Sequence, residues 1–119
     1  MNFAKGTIRN GQVILDGGGS IPLQSHSAKR AGGLEGRDVI VGIRPEHFVP
    51  PGEGHALSGR VQVVEPLGSD TLIHFMLGSS TLTARVAPEM RPNPGENLSI
   101  GVDPSRIHLF DAATERAIA

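Results

Sequence analysis

Histidine exchanges protons near neutral pH and is a common metal ligand, and this chain carries five. His26, His47, His55, His74 and His108 are scattered, however, and none belongs to a His-Glu-x-x-His pair that a helix would turn toward one cation. His74 stands between Ile73 and Phe75, which assigns it to the polar face of a strand, as a cross-strand or interface residue. Glu46 and Glu65 are of the type used in pairs for acid–base work, but each adjoins a proline-bearing turn and nothing in their spacing makes them converge. Gly17-Gly18-Gly19 has the composition of a phosphate cradle, yet it runs into Ser20-Ile21-Pro22-Leu23 without the Gly-Lys-Ser/Thr and helix that such a cradle needs, so it reads as a turn. No serine sits in a Gly-x-Ser-x-Gly elbow, and the absence of cysteine excludes thiolate metal sites, cysteine nucleophiles and disulfides. These residues do not describe a catalytic centre.

The elements that position them read as short strands. Phe3 to Arg9 and Gln12 to Leu15 flank Asn10-Gly11, a dipeptide suited to a two-residue hairpin turn. Ser25 to Gly36 is a polar connector, with one helical turn expected at Ser27 to Ala31. In Asp38 to Ile43, Val39, Val41 and Ile43 share one face while Ile40 and Gly42 occupy the other, the pattern of a strand covered on both sides, and Pro45 stops it. Leu57, Gly59, Val61 and Val63 alternate with polar residues, Val63-Val64 breaks the alternation, and a bulge or bend is expected there, with Gly59 serving the same bend. Ile73, Phe75 and Leu77 oppose Leu82, Ala84 and Val86 across Gly78-Ser79-Ser80, and two more strands follow at Leu98 to Val102 and Ile107 to Phe110. Strand periodicity predicts one core containing Val61, Val63, Ile73, Phe75, Leu82, Ala84, Leu98 and Ile100.

Composition agrees with that reading. The 119 residues suit one small domain over positions 1–119, and 38% hydrophobic with 19% charged residues is ordinary globular material. Sixteen glycines and nine prolines without sustained helical periodicity favour an all-β class, as a small Greek-key barrel of short antiparallel strands. Net charge is −1 with both signs dispersed, and aromatics make up 3%, so neither a basic field nor a stacking platform for nucleic acid is present. Phe75 and Phe110 are expected in the core, and Arg60 and Arg85 on solvated faces. The opening Met1-Asn2-Phe3-Ala4-Lys5 lacks an apolar signal region, and no apolar run approaches the roughly 20 residues of a membrane helix.

Gly42-Ile43-Arg44-Pro45-Glu46-His47, followed by Gly59-Arg60-Val61-Gln62-Val63-Val64-Glu65-Pro66-Leu67-Gly68, resembles the C-terminal transport-associated OB (TOBE) region of the ATPases of maltose-type sugar importers. Met1-Asn2-Phe3 and Asp103-Pro104-Ser105-Arg106-Ile107-His108-Leu109-Phe110 resemble the start and the closing strand of that region. The resemblance implies an OB-like barrel that regulates and pairs two ATP-binding subunits of an ABC transporter, as a homodimer, at the inner face of the cell membrane. It places Gly59, Glu65 and Ser79 near the contact between paired domains, and Phe3, Gly36 and Gly42 near surfaces used by regulatory proteins, with Arg44, Pro45 and Glu46 as the family motif. Gly36 and Gly42 read equally well as turn and close-packing glycines. ATP and magnesium would belong to a separate ATPase domain, which also links the subunit to the transporter's membrane subunits. This chain, lacking the phosphate loop, is expected to hold no cofactor, to show no catalysis and to engage no nucleic acid. The alternative is a small-ligand OB module that binds a glycan or an oxyanion, although no Ser-Ala-Arg-Asn-type anion loop is present.

Overall fold

The structure, a computed structural model, describes residues 1–23 and 35–118. The expected helical turn at Ser27 to Ala31, and His26, lie outside the described residues. Ten strands follow in order: β1 (Asn2–Arg9), β2 (Gln12–Leu15), β3 (Ser20–Pro22), β4 (Asp38–Ile43), β5 (Phe48–Val49), β6 (His55–Pro66), β7 (Thr71–Leu77), β8 (Ser80–Val86), β9 (Asn97–Val102) and β10 (His108–Asp111). They form two antiparallel five-stranded sheets. The first has the order β10-β4-β1-β2-β3 and the second β5-β9-β6-β7-β8. The all-β, OB-like class expected from the sequence is what the chain adopts.

Local chemistry explains the turns. Asn10 and Gly11 both sit at positive φ (51° and 75°), as the tight turn between β1 and β2 requires. β3, not anticipated from sequence, exists because Ile21 drops into the core and pairs with Val13, although Pro22 confines this three-residue strand to the sheet edge.

Both sheets contribute to one apolar core, including Val13, Val39, Val41, Ile73, Phe75, Leu82, Ile100 and Leu109. Seven of the eight residues expected there are buried; Val63 is not, being 49% exposed. The cause is a bulge lying slightly earlier than the sequence suggested. Val61 pairs with Phe75 and Val63 with His74, so Gln62 is the extra, unpaired residue and the alternation changes phase. Val63 turns outward, and Val64, opposite Ile73, packs against the core instead. Phe110 also departs from expectation. Ile107 and Leu109 are buried, whereas the Phe110 ring lies on the outer face of the first sheet, edge-on to Phe3 with centroids 6.1 Å apart.

Two devices tie the sheets together. Asn2 on β1 uses its side-chain amide as a stand-in for backbone: its Nδ2 donates to Thr83 O (2.7 Å) and its Oδ1 accepts from Thr83 N (2.8 Å), joining β1 to β8. The same Nδ2 donates to Ile43 O at 3.1 Å. Elsewhere the turn after β2 meets the turn after β7 backbone to backbone, at Gly17 and Gly78. Both glycines have positive φ, and a β-carbon on either would collide with the other turn.

Candidate functional site: two outer sheet faces

The bulge at Gln62 decides what the outer face of the second sheet can do. Without it Glu65 would share the inward phase of Leu57 and Val61; with it Glu65 faces outward beside His74. Glu65 Oε1 lies 2.6 Å from His74 Nε2, and His74 Nδ1 lies 2.9 Å from Thr83 Oγ1. A polar chain therefore crosses three strands, from Glu65 on β6 through His74 on β7 to Thr83 on β8, whose backbone is held by Asn2. The expectation of a cross-strand role for His74 agrees with this geometry. Glu65 is taken up by His74, while Glu46 lies exposed on a separate turn, so the two carboxylates are employed in different places.

Of the residues associated by resemblance with pairing, Gly59 faces inward. A β-carbon there would lie 2.6 Å from Met76 O and 2.7 Å from Phe75 Cδ2, so this glycine clears space for the Phe75 ring. The close approach it permits is within the domain. Glu65 and Ser79 are both exposed, but they lie at opposite ends of β7. Glu65 pairs with Leu72 and Ser79 sits in the turn beyond Leu77, about seven residues or ~20 Å along the strand.

The outer face of the first sheet is differently made. Phe3 is directly opposite Gly42 on β4, which in turn is opposite His108 on β10; Lys5 is opposite Ile40, and Ile40 opposite Phe110. Phe3 is 56% exposed. Gly42 is buried, and a β-carbon on it would fall 2.5 Å from Met1 Sδ and 3.2 Å from Phe110 Cε2. Its role is to let Met1 and Phe110 lie across the strand. Gly36, at a φ of 82°, belongs to the turn that leads into β4, near Ile8 and not near Phe3.

Arg44, Pro45 and Glu46 lie on the crossover between the sheets. Residues Pro45–His47 form a 3-10 turn that carries β4 into β5, and Pro104–Arg106 form a second that carries β9 back into β10. Since β4 pairs with β10 and β5 with β9, the two crossovers run side by side in opposite directions. Each begins with a proline, whose fixed φ suits a first helical position. Arg106 Nη1 reaches His47 Nε2 at 3.4 Å across the gap, while His47 Nδ1 is buried without a partner among the described residues. The backbone N–H of Glu46 holds its carboxyl below the usual carboxylate range, aided by the nearby charges of His47, Arg44 and Arg85. Asp103 is lowered by the Ser105 hydroxyl and then the Ser105 N–H, with 2.6 Å and 2.9 Å contacts that cap its turn. Sequence reasoning missed Asn2, Gly17 and Gly78; only the two glycines carried a local signal, as members of turns.

Among the described residues no group of three His, Cys, Asp or Glu side chains is placed to hold a metal ion, and no helix is long and apolar enough to cross a membrane.

Comparison with known proteins bears on this geometry directly. The MalK OB fold domain family matches residues 1–48 and the TOBE domain family residues 41–110, so the two overlap on the end of β4 and the Arg44-Pro45-Glu46 crossover. The sulfoquinovosyl glycerol transport ATP-binding protein SmoE of Agrobacterium fabrum is 57% identical over 119 residues, covering 99% of this chain and 33% of that protein. The sn-glycerol-3-phosphate import ATP-binding protein UgpC of Chromobacterium violaceum is 41% identical over 110 residues, 92% of this chain and 29% of that one. The chain thus spans about a third of the length of these relatives. In fold it is similar to the cytoplasmic molybdate-binding protein ModG solved with molybdate bound, with a TM-score of 0.69 over 91% of this chain and 94% of that one, at 20% identity, a likeness of fold alone. With more than half its length matched, including both crossovers and every strand of the second sheet, the chain belongs to the TOBE domain family.

Proposed function

We propose that this chain is the regulatory and pairing domain of the ATP-binding subunit of an ABC importer for a sugar or a related polyol-bearing solute. The observation that carries this reading is the match of the whole chain to one third of importer ATP-binding subunits, at 57% identity in one case. The chain's part is mechanical. A barrel with a continuous apolar core and turns locked at Gly17 and Gly78 keeps its shape while partner domains move, and it presents two outer faces of different chemistry.

In this reading the ATP and magnesium sites lie in a nucleotide-binding domain of the parent chain, and the membrane subunits are engaged through that domain at the cytoplasmic face. Solute choice rests with other subunits; the relatives' names, sulfoquinovosyl glycerol and sn-glycerol-3-phosphate, point to small anionic solutes bearing glycerol. Two copies pair through the β6–β8 region, with Ser79 and Glu65 as the exposed contributors. Gly59 supports that region from inside by seating Phe75.

The test is the parent protein. Its gene should encode a Walker-type phosphate loop upstream of Met1, and the full product should hydrolyse ATP while the 119-residue chain does not. A parent gene with no nucleotide-binding domain, or saturable hydrolysis by the 119-residue chain, contradicts the reading.

A further inference from the structure

The outer face of the first sheet changes character along its strands. At one end Phe3, Ile40 and Phe110 surround a shallow apolar basin of about 420 Å3, with Glu115 on its rim. Immediately beside it, sharing Ile40 and Glu115, a second depression of about 400 Å3 is bordered by Asp16, Asp38 and Glu115. Among the described residues Lys5 is the only cation on that border, where it meets three carboxylates. Asp38 accepts a hydrogen bond from Thr7 Oγ1 at 3.2 Å, and among the described residues none of the three carboxylates has an ion-pair partner. Glu115 is held in place by its backbone: its φ is 61°, its N–H donates to Asp111 O at 2.7 Å, and the tail beyond it bridges back onto Phe110 through Ala117.

An exposed Phe3 ring against the half-buried Phe110, beside carboxylates that outnumber the cations near them among the described residues, is matched by a partner that brings apolar side chains and cations together. We infer that this face docks a protein segment with two or three apolar residues next to lysine or arginine, the apolar residues entering the Phe3–Phe110 basin and the cations meeting Asp16, Asp38 and Glu115. A cation at the boundary also gains from the faces of the two rings. A second copy presenting the same face would bring like charges together, and an anionic lipid surface would be repelled by the same carboxylates. The inference rests on the regulatory reading above and gives its partner a chemistry. It can fail while the importer assignment stands, because the assignment is tested on the parent gene and its ATPase activity.

The experiment selects a random 12-residue display library on the immobilised 119-residue chain. Enriched peptides are synthesised and titrated by amide NMR, with sedimentation of the chain alone and anionic phospholipid vesicles as parallel arms. Enriched peptides should pair apolar with basic residues, and shifts should map to β1, β4, β10 and residues 112–118. Affinity should fall about tenfold with Phe3→Ser and with the double change Asp16→Lys, Glu115→Lys, each still folded by circular dichroism, and should weaken with salt. No enrichment over blank support overturns the inference, as do enriched peptides without cations, shifts on the other sheet, or affinity unmoved by the charge reversal. Vesicle binding lost in Phe3→Ser would assign the face to lipid, and a Phe3-dependent dimer would assign it to a second copy; either result also overturns it.

Discussion

The two sheets share one core but finish their outer faces in opposite ways. On the second sheet the polar groups answer one another around a single outward Val63, 49% exposed: Glu65, His74 and Thr83 form a chain of contacts of 2.6 and 2.9 Å, and Arg85 pairs with Asp70 at 3.2 Å. On the first sheet Phe3 is left open, edge-on to the half-buried Phe110, beside carboxylates without ion partners among the described residues. Satisfied polar groups make a surface that is soluble alone and that associates weakly, whereas unsatisfied apolar area makes one that gains by being covered. In the proposed reading one face pairs like with like and the other meets an unlike partner.

The largest effect expected from separating core from face is at Phe75. Its ring is fully buried, edge-on to Phe48 with centroids 5.6 Å apart, so Phe75→Ala should cost about 3–5 kcal/mol in urea unfolding. Phe3→Ala, on the open face, should stay within about 1 kcal/mol, since surface substitutions seldom exceed that. Equal losses at the two positions would mean that the open face is part of the core.

Gly59→Glu comes next. Its side chain meets the Met76 carbonyl and the Phe75 ring, and overpacking of this kind typically costs about 1–3 kcal/mol. The predicted signature is a lowered unfolding midpoint; an unchanged midpoint would place residue 59 outward after all. Asn2→Ala should then cost about 1–2 kcal/mol, because it leaves the Thr83 N–H and C=O unpaired at the junction of the sheets.

The smallest effect is one of pH. The N–H groups of Thr114 and Ala113, followed by Arg37, hold the Asp111 carboxyl below its usual value. A depressed folded-state pKa means that this stability is complete above the unfolded value of about 3.9 and is lost as pH falls through the lower folded one. Asp111→Asn should therefore flatten the acid limb of a stability profile and leave the slope near neutrality unchanged; an unaltered acid limb would deny Asp111 that role.

Much of this architecture could be read from residue order, because period-2 patterning and turn chemistry act locally. Asn10-Gly11 located the first hairpin, and Ile73, Phe75 and Leu77 identified an inward face. The bulge was legible as a break in alternation at Val63-Val64, but the extra residue is Gln62, because hydrogen-bond register and not hydropathy decides which residue is left over. Phe110 continued an apolar run, yet β10 turns every second side chain outward, and Gly42 made room for that ring. Asn2 and the Gly17–Gly78 contact could not be read, since each joins segments some sixty or more positions apart. The candidate faces were legible only by residue: Phe3 and Gly42 prove to be neighbours, whereas Gly36 stands apart and Gly59 points inward.

The proposed pairing of two copies through the second sheet is tested most directly by sedimentation equilibrium of the 119-residue chain over a concentration series reaching hundreds of micromolar, alongside Ser79→Glu. A weak interface near the low end of the ~1,200 Å2 class should raise the average mass of the wild type toward twice the monomer with concentration. Ser79→Glu, folded by circular dichroism, should remain nearer the monomer, because a self-complementary patch carries the added charge on both copies and must desolvate it in each. A wild type that stays monomeric throughout, or a variant that pairs as well as the wild type, would contradict the account.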